Sequence, residues 1–190
     1  MPYPSQIDRD AILRTARQII ERDGLAKLSL RLLAEELGVS APSLYRYFRN
    51  KKALLRAIAE ETVELLFIEL YAAMESESDV EQRPLAVAKA YHRYAHAHPV
   101  AYQLVYVQPD PDLLLDTDYL VPKVLPLQAL LIPLAGAEQS LAALRGLLAI
   151  IHGWVMLELA NQLRRGGDLN QHFEQAVQTY LIGLQSGAQR

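Results

Sequence analysis

The sequence predicts an all-α fold, and three observations carry that prediction. Apolar residues recur with helical period along almost all of the 190 residues. No run of alternating apolar and polar residues is long enough for a strand. The periodic stretches are separated by glycine, proline or capping serine and asparagine, the residues that start and stop helices. The expected architecture is an N-terminal three-helix helix-turn-helix domain, residues 1–50, followed by a larger helical domain, 51–190, with about nine helices in all.

The first helix is expected from Asp8 to Asp23, with Ile12, Ala16, Ile19 and Ile20 on one face and Gly24 as its stop. Ser29 is a cap for a short second helix ending at Leu37. Gly38-Val39-Ser40 turns the chain, and Ser40 caps a third helix from Ala41 to Phe48, whose Pro42 falls in the first turn where no N–H is needed. Asn50 caps a fourth, from Lys51 into the low seventies. Helices follow at 83–98, stopped by Pro99, and at 100–107, stopped by the Pro109-Asp110-Pro111-Asp112 loop. Prolines 122, 126 and 133 weaken the helical signal over 119–134. Two long helices, 138–164 and 170–186, close the chain around Gly166-Gly167.

Apolar residues make up 51% of the chain, enough for a substantial core. The absence of cysteine excludes a disulfide framework, a thiol nucleophile and Cys-ligated metal. The start, MPYPSQIDRD, lacks the basic-then-apolar pattern of an export signal, so a cytoplasmic location is expected. Leu141 to Ala160 is apolar enough to suggest a membrane span, but Arg145, His152 and Glu158 interrupt it, and the expectation is a buried helix with no membrane partner. The formal net charge of −3 divides unevenly: residues 1–56 carry a balance of +5 and the remainder −8. A basic head on an acidic body points to an anionic partner for the head, against the alternative of a mixed solvated surface.

Residues 29–48 read as helix, glycine-containing turn and helix, the helix-turn-helix arrangement. Leu44 and Phe48, four apart, must pack on Leu33, Ala34 and Leu37, which leaves Pro42, Ser43, Tyr45 and Arg46 outward. That face is small at its start and tall afterwards, as suits a helix entering a major groove end-first. The fourth helix then begins with Lys51 and Lys52, where the helix dipole favours an anion and each exposed cation costs about 0.3–1 kcal/mol. A DNA phosphate at that helix start removes the misfit. The alternative, with Lys52 in water and Lys51 paired to a carboxylate, stays open.

Taken together, LSLRLLAEELGVSAPSLYRYFRNKKALLRAI (Leu28 to Ile58), with its Leu-Tyr-x-x-Phe-x-x-Lys run ending at Lys51, resembles the DNA-binding domain of the TetR family of bacterial transcriptional regulators. Residues 91–106 and 151–163 more loosely resemble the C-terminal domain of its Trp-His-Gly branch, with Ile151 standing where that branch often has an aromatic before His-Gly. The resemblance implies that Tyr45, Tyr47 and Lys51 hold phosphates of double-stranded DNA, while Arg31, Ala41, Pro42, Ser43 and Arg46 face bases. Chemistry agrees: Arg31 suits a guanine, Ser43 can donate or accept, and Ala41 and Pro42 offer apolar contact, as to a thymine methyl. The resemblance further implies a homodimer on a palindromic operator, no catalytic activity, no cofactor, and repression relieved by a small-molecule effector.

The last two helices are the expected dimer interface, through the stripe Leu141, Leu144, Leu148, Ile151, Val155, Leu159 and through Phe173, Val177, Tyr180, Leu181, Leu184. Gly146 and Gly153 share a face, as do Gly183 and Gly187, so partner backbones can approach closely. An ordinary intrachain core remains the alternative for these stripes. Tyr91, His92, Tyr102, Tyr106, His152 and Glu158, with Tyr94, His96 and Trp154, mix aromatic walls with polar groups and suit a largely apolar effector.

Rival readings are weaker. Tyr47 and Lys51 have the Tyr-x-x-x-Lys spacing of short-chain dehydrogenases, without a glycine-rich turn or any βαβ pattern. His92 and His96 are one turn apart, but with no third ligand identifiable no functional metal is expected. A helix-turn-helix used for protein contacts has no need of a basic head.

Overall fold

The computed structural model describes residues 7–107 and 113–188, and among them are ten α-helices, one 3-10 turn and no strand. The Pro109-Asp110-Pro111-Asp112 loop lies outside the described residues. In chain order the helices are α1 (Arg9–Asp23), α2 (Leu30–Leu37), α3 (Ala41–Tyr45), α4 (Lys51–Ser76), α5 (Arg83–Ala97), α6 (Pro99–Tyr106), α7 (Thr117–Ala129), α8 (Ile132–Ala135), α9 (Ser140–Leu159) and α10 (Leu169–Ala188), with the 3-10 turn at Leu25–Lys27.

Most boundaries follow from caps. The Asp8 carboxylate accepts the Ala11 N–H at 2.6 Å, the Ser29 hydroxyl that of Leu32 at 3.1 Å, and the Asn50 side chain that of Ala53 at 2.8 Å. Gly38 closes α2 in the left-handed region, φ 67°. Ser40 occupies the cap position of α3 without capping it, because its hydroxyl bonds the Ser43 hydroxyl at 2.8 Å instead. Regular helix there stops at Tyr45, three residues short of the expected Phe48, and a turn continues to Phe48 through its N–H to the Leu44 carbonyl.

The proline-rich stretch forms α7 and a separate short α8. Pro122 and Pro126 lie inside α7, four apart on one exposed face, where water can satisfy the carbonyls that lose their N–H partners. α9 stops at Leu159 rather than 164 because Asn161 takes φ 51°, a conformation that asparagine tolerates and that ends helices.

The chain forms two compact units, and the division falls inside α4 after Leu65. One comprises residues 1–65 with 98–115. Its core gathers Ile12, Leu13, Ala16, Ile19 and Ile20 of α1, Leu33 and Ala34 of α2, Leu44 and Phe48, Leu54 and Ile58 of α4, and Ala101 and Leu104 of α6. Arg22 of α1 reaches Glu36 of α2 at 2.6 Å, tying the ends of those helices together.

In the second unit, residues 66–97 with 116–190, α5, α9 and α10 pack on one another. Val87, Ala88, Tyr91, Tyr94, Ala143, Leu147, Ile151, Val155, Phe173 and Val177 are buried there. α9 is not the buried helix that its hydropathy suggests: only 28% of its most apolar window is buried within the chain. By length and composition it could cross a membrane, the only such helix among the described residues. Its inward stripe is Ala143, Leu147, Ile151 and Val155, while Leu141, Leu148 and Leu157 are exposed. Gly146 serves the chain itself. The Tyr180 hydroxyl donates to the Ala143 carbonyl at 2.8 Å, and a Cβ on Gly146 would fall 2.2 Å from that hydroxyl oxygen. Gly153 and Gly183 face open space.

Candidate nucleic-acid interface and effector-binding groups

The outward face of α3 depends on what its inward face buries. Leu44 is fully buried and Phe48 nearly so, which turns Pro42, Tyr45 and Arg46 outward, all three exposed. Ala41 is half-buried against the core, and Ser43 is half-buried in its bond to Ser40. Arg31 stands on α2 with its side chain 88% exposed, 3.0 Å from Glu35 one turn later. An exposed pair of this kind is held weakly, so a guanine edge or a phosphate can compete for the guanidinium.

Tyr47 and Lys51 have partners within the unit. The Tyr47 hydroxyl donates to the Ile7 carbonyl at 2.5 Å. The Lys51 ammonium donates to the Leu25 carbonyl at 3.2 Å, at the start of the 3-10 turn. Lys51 is therefore paired to a backbone carbonyl rather than to a carboxylate. An uncharged acceptor leaves its positive charge uncompensated at the N-terminus of α4, where an anion remains favourable.

The side-chain cluster of the second unit centres on Glu158 of α9. Its Oε2 lies 2.6 Å from His92 Nε2 and 2.8 Å from His96 Nε2, both on α5. The His92 ring stacks on Phe173 of α10 at 4.4 Å between centroids, and Trp154 packs against the same phenylalanine at 6.0 Å. Burial pushes the Glu158 carboxyl up, but the hydrogen bonds from His96 and His92 outweigh it and hold the carboxyl below its ordinary value. The Trp154 indole N–H, buried without a hydrogen bond that meets normal geometry, acts weakly in the same direction. His152, half-buried on α9, has its pKa lowered by desolvation.

Of the six residues expected around an effector, His92 and Glu158 are thus in direct contact. Tyr91 is buried on α5, and His152 lies on α9. Tyr102 and Tyr106 belong to the first unit, on α6, with ring centroids 4.8 Å apart. None of the six lines the groove of about 590 Å³ formed by α4 and α5, whose walls include Glu69, Glu77, Lys89 and Arg93. Two direct contacts escape sequence reasoning, although it places His92, His96 and Glu158 in one polar and aromatic group. Glu158 is the third member of the His92–His96 pair, visible only once α5 and α9 meet. Glu21 of α1 accepts the N–H groups of Val100 and Ala101 at 3.0 and 2.9 Å, and nothing in the local pattern marks it.

Comparison with known proteins bears on both units. The family model described as "Bacterial regulatory proteins, tetR family" matches residues 12–58, and the one described as "Tetracyclin repressor-like, C-terminal domain" matches 84–180, half of the chain. The tetracycline repressor protein class C of Escherichia coli is 46% identical over 56 residues, 30% of this chain, and the chain spans only 26% of that repressor's length. An uncharacterized HTH-type transcriptional regulator of Mycobacterium tuberculosis is 28% identical over 162 residues, 82% of this chain and 72% of that one. A solved structure of a protein with unknown function from Rhodococcus sp. RHA1 is similar with a TM-score of 0.76 and 29% identity, covering 96% of this chain and 98% of that one.

Proposed function

The chain belongs to the TetR family of bacterial regulatory proteins, and from that premise we propose a cytoplasmic repressor that a small, largely apolar effector releases from a palindromic operator. The exposed Pro42–Tyr45–Arg46 face of α3, held outward by the burial of Leu44 and Phe48, carries the DNA reading. Residues 1–50 act as the DNA-binding domain and 51–190 as the effector-binding and dimerisation domain. Arg31, Ala41, Pro42, Ser43 and Arg46 meet base edges, and Tyr45, Tyr47 and Lys51 meet phosphates. An ammonium has three donors, so the Leu25 carbonyl and a phosphate can share Lys51.

A homodimer follows from surface chemistry. Leu141, Leu148 and Leu157 of α9 and Ile182 of α10 are exposed, and Gly153 and Gly183 on the same two helices border open space. An interface through these two helices would cover apolar side chains that otherwise face water. One helix-turn-helix reads few base pairs, and a two-fold pair reads a palindrome. The effector binds among the aromatic and polar groups around His92, His152 and Glu158, and opposes DNA through a coupling of about 1–3 kcal/mol, typical of such systems.

The test is fluorescence anisotropy on labelled DNA from upstream of the protein's own gene and on a scrambled duplex, at two salt concentrations, with genome-wide fragment selection to find operators elsewhere. Specific binding should exceed non-specific binding by ~10³-fold or more, weaken with salt, and fall on Arg46→Ala. Arg46 suits this test better than Lys51, whose replacement also releases the Leu25 carbonyl. Equal, weak binding to every fragment, unchanged by Arg46→Ala, would instead favour a helix-turn-helix that works through protein contacts.

A further inference from the structure

The geometry points to a binding site for a divalent transition-metal ion, Zn²⁺ foremost, formed by His92 and His96 of α5 with Glu158 of α9. Each residue offers one ligand atom, and the three atoms lie within 4.8 Å of one another. The i, i+4 spacing places both imidazoles on one face of α5, and both Nε2 atoms converge on the same oxygen of Glu158, at 2.6 and 2.8 Å.

These distances suit a metal after a small adjustment. Zinc bonds to imidazole nitrogen and carboxylate oxygen are about 2.0–2.2 Å, so tetrahedral ligand atoms stand roughly 3.3–3.5 Å apart. Lengthening the two N···O contacts by less than about 1 Å and drawing the two Nε2 atoms, which lie within 4.8 Å of each other, to about 3.5 Å reaches that spacing. Without metal, each Nε2 must carry its proton to donate to Glu158. Metal binding replaces two N–H···O bonds to one oxygen with three coordinate bonds and releases no proton from a neutral imidazole, because the proton moves to the other ring nitrogen.

The donor set selects the ion. Two imidazoles and one carboxylate favour Zn²⁺, Ni²⁺ or Cu²⁺, whereas Mg²⁺ and Ca²⁺ demand oxygen ligands throughout. Burial supports a built site: the side chains of His92 and Glu158 are only 10% and 7% exposed, and Phe173 stacks on the His92 ring and holds its plane. His96, with its side chain 37% exposed, forms the open side through which an ion enters and where water completes the fourth position. The ion would cross-link α5 to α9. The site shares His92 and Glu158 with the groups proposed for the effector, which a bound ion would anchor or displace, and it stands independently of the DNA reading.

The test uses the full, tag-free chain stripped with a chelator and titrated with Zn²⁺ against a chromophoric competitor. One ion per chain is expected. His96→Ala, at an exposed position where folding should be unaffected, and Glu158→Gln should each weaken binding by more than the roughly 100-fold that follows from losing a mere hydrogen-bond partner of a ligand. His172→Ala, an exposed histidine outside the cluster, should bind normally. Co²⁺ should give the intense visible absorption of a four-coordinate site in the parent protein and lose it in His96→Ala. Absence of stoichiometric Zn²⁺ binding, or binding that His96→Ala leaves unchanged while circular dichroism shows the fold intact, overturns the assignment.

Discussion

Replacing Glu21 with alanine tests how α6 is held within its unit. α6 opens with Pro99, which has no N–H, so Val100 and Ala101 present the first helical donors without a partner in the helix; His98, at the cap position, makes no side-chain capping bond to them. The Glu21 carboxylate takes over that role from another helix, one oxygen for each N–H. A capping side chain contributes about 0.5–2 kcal/mol. A carboxylate at a helix N-terminus contributes about 0.3–1 kcal/mol, rising towards ~2 where partly buried. The two estimates overlap, so Glu21→Ala should cost about 2 kcal/mol, roughly 30-fold in the folding equilibrium. Glu21→Gln keeps one acceptor without the charge and should cost about half as much. Urea unfolding at one fixed protein concentration should show the midpoint falling with the slope unchanged, and hydrogen exchange should show the Val100 and Ala101 amides losing protection. If Glu21→Ala lies within ~0.3 kcal/mol of the parent, or those two amides stay protected, the account of the cap is wrong.

Three further outcomes follow from the second unit. Gly146→Ala should destabilise by about 1–2 kcal/mol despite alanine's helix propensity, because the new Cβ displaces Tyr180 from the Ala143 carbonyl; combining it with Tyr180→Phe should give less than the sum of the two losses in thermal unfolding. His152 has a folded-state pKa below its ordinary 6.5, so the unfolded chain takes up the proton first and stability is lost as pH falls below about 6.5. In His152→Gln that contribution vanishes, and identical pH–stability slopes for the two proteins between pH 7.5 and 5.5 would refute it. Leu148→Glu and Ile182→Glu, at exposed apolar positions, should lower the mass in sedimentation towards that of one chain while preserving helicity; an unchanged mass would place the interface elsewhere.

The helices of the first 50 residues were readable because their signals are local. Asp8, Ser29 and Asn50 cap through bonds spanning three residues, and Gly38 turns the chain by its own φ. The inward placement of Leu44 and Phe48 followed from helical spacing alone. Local signals failed where a residue chose between two near partners. Ser40 bonds Ser43 instead of the backbone, and Asn161 ends α9 before the apolar pattern runs out. Periodicity also could not say which side of α9 meets its own chain: Leu148, Ile151 and Val155 share the expected interface stripe, but Ile151 and Val155 are buried within the chain and Leu148 is exposed.

By itself the sequence determined an all-α chain, a helix-turn-helix with its outward residues, a basic head and the family to which the chain belongs. The first three rest on spacing, capping and charge, all properties of residues close together along the chain, and the family rests on the resemblance carried by residues 28–58. Only the tertiary structure decided that Glu21 caps a helix about eighty residues away, that Gly146 makes room for Tyr180, and that Glu158 joins His92 and His96. Those contacts depend on the angle and register at which helices cross. A hydrophobic stripe shows that a helix packs, but the facing side chains settle where each charged or polar group comes to rest.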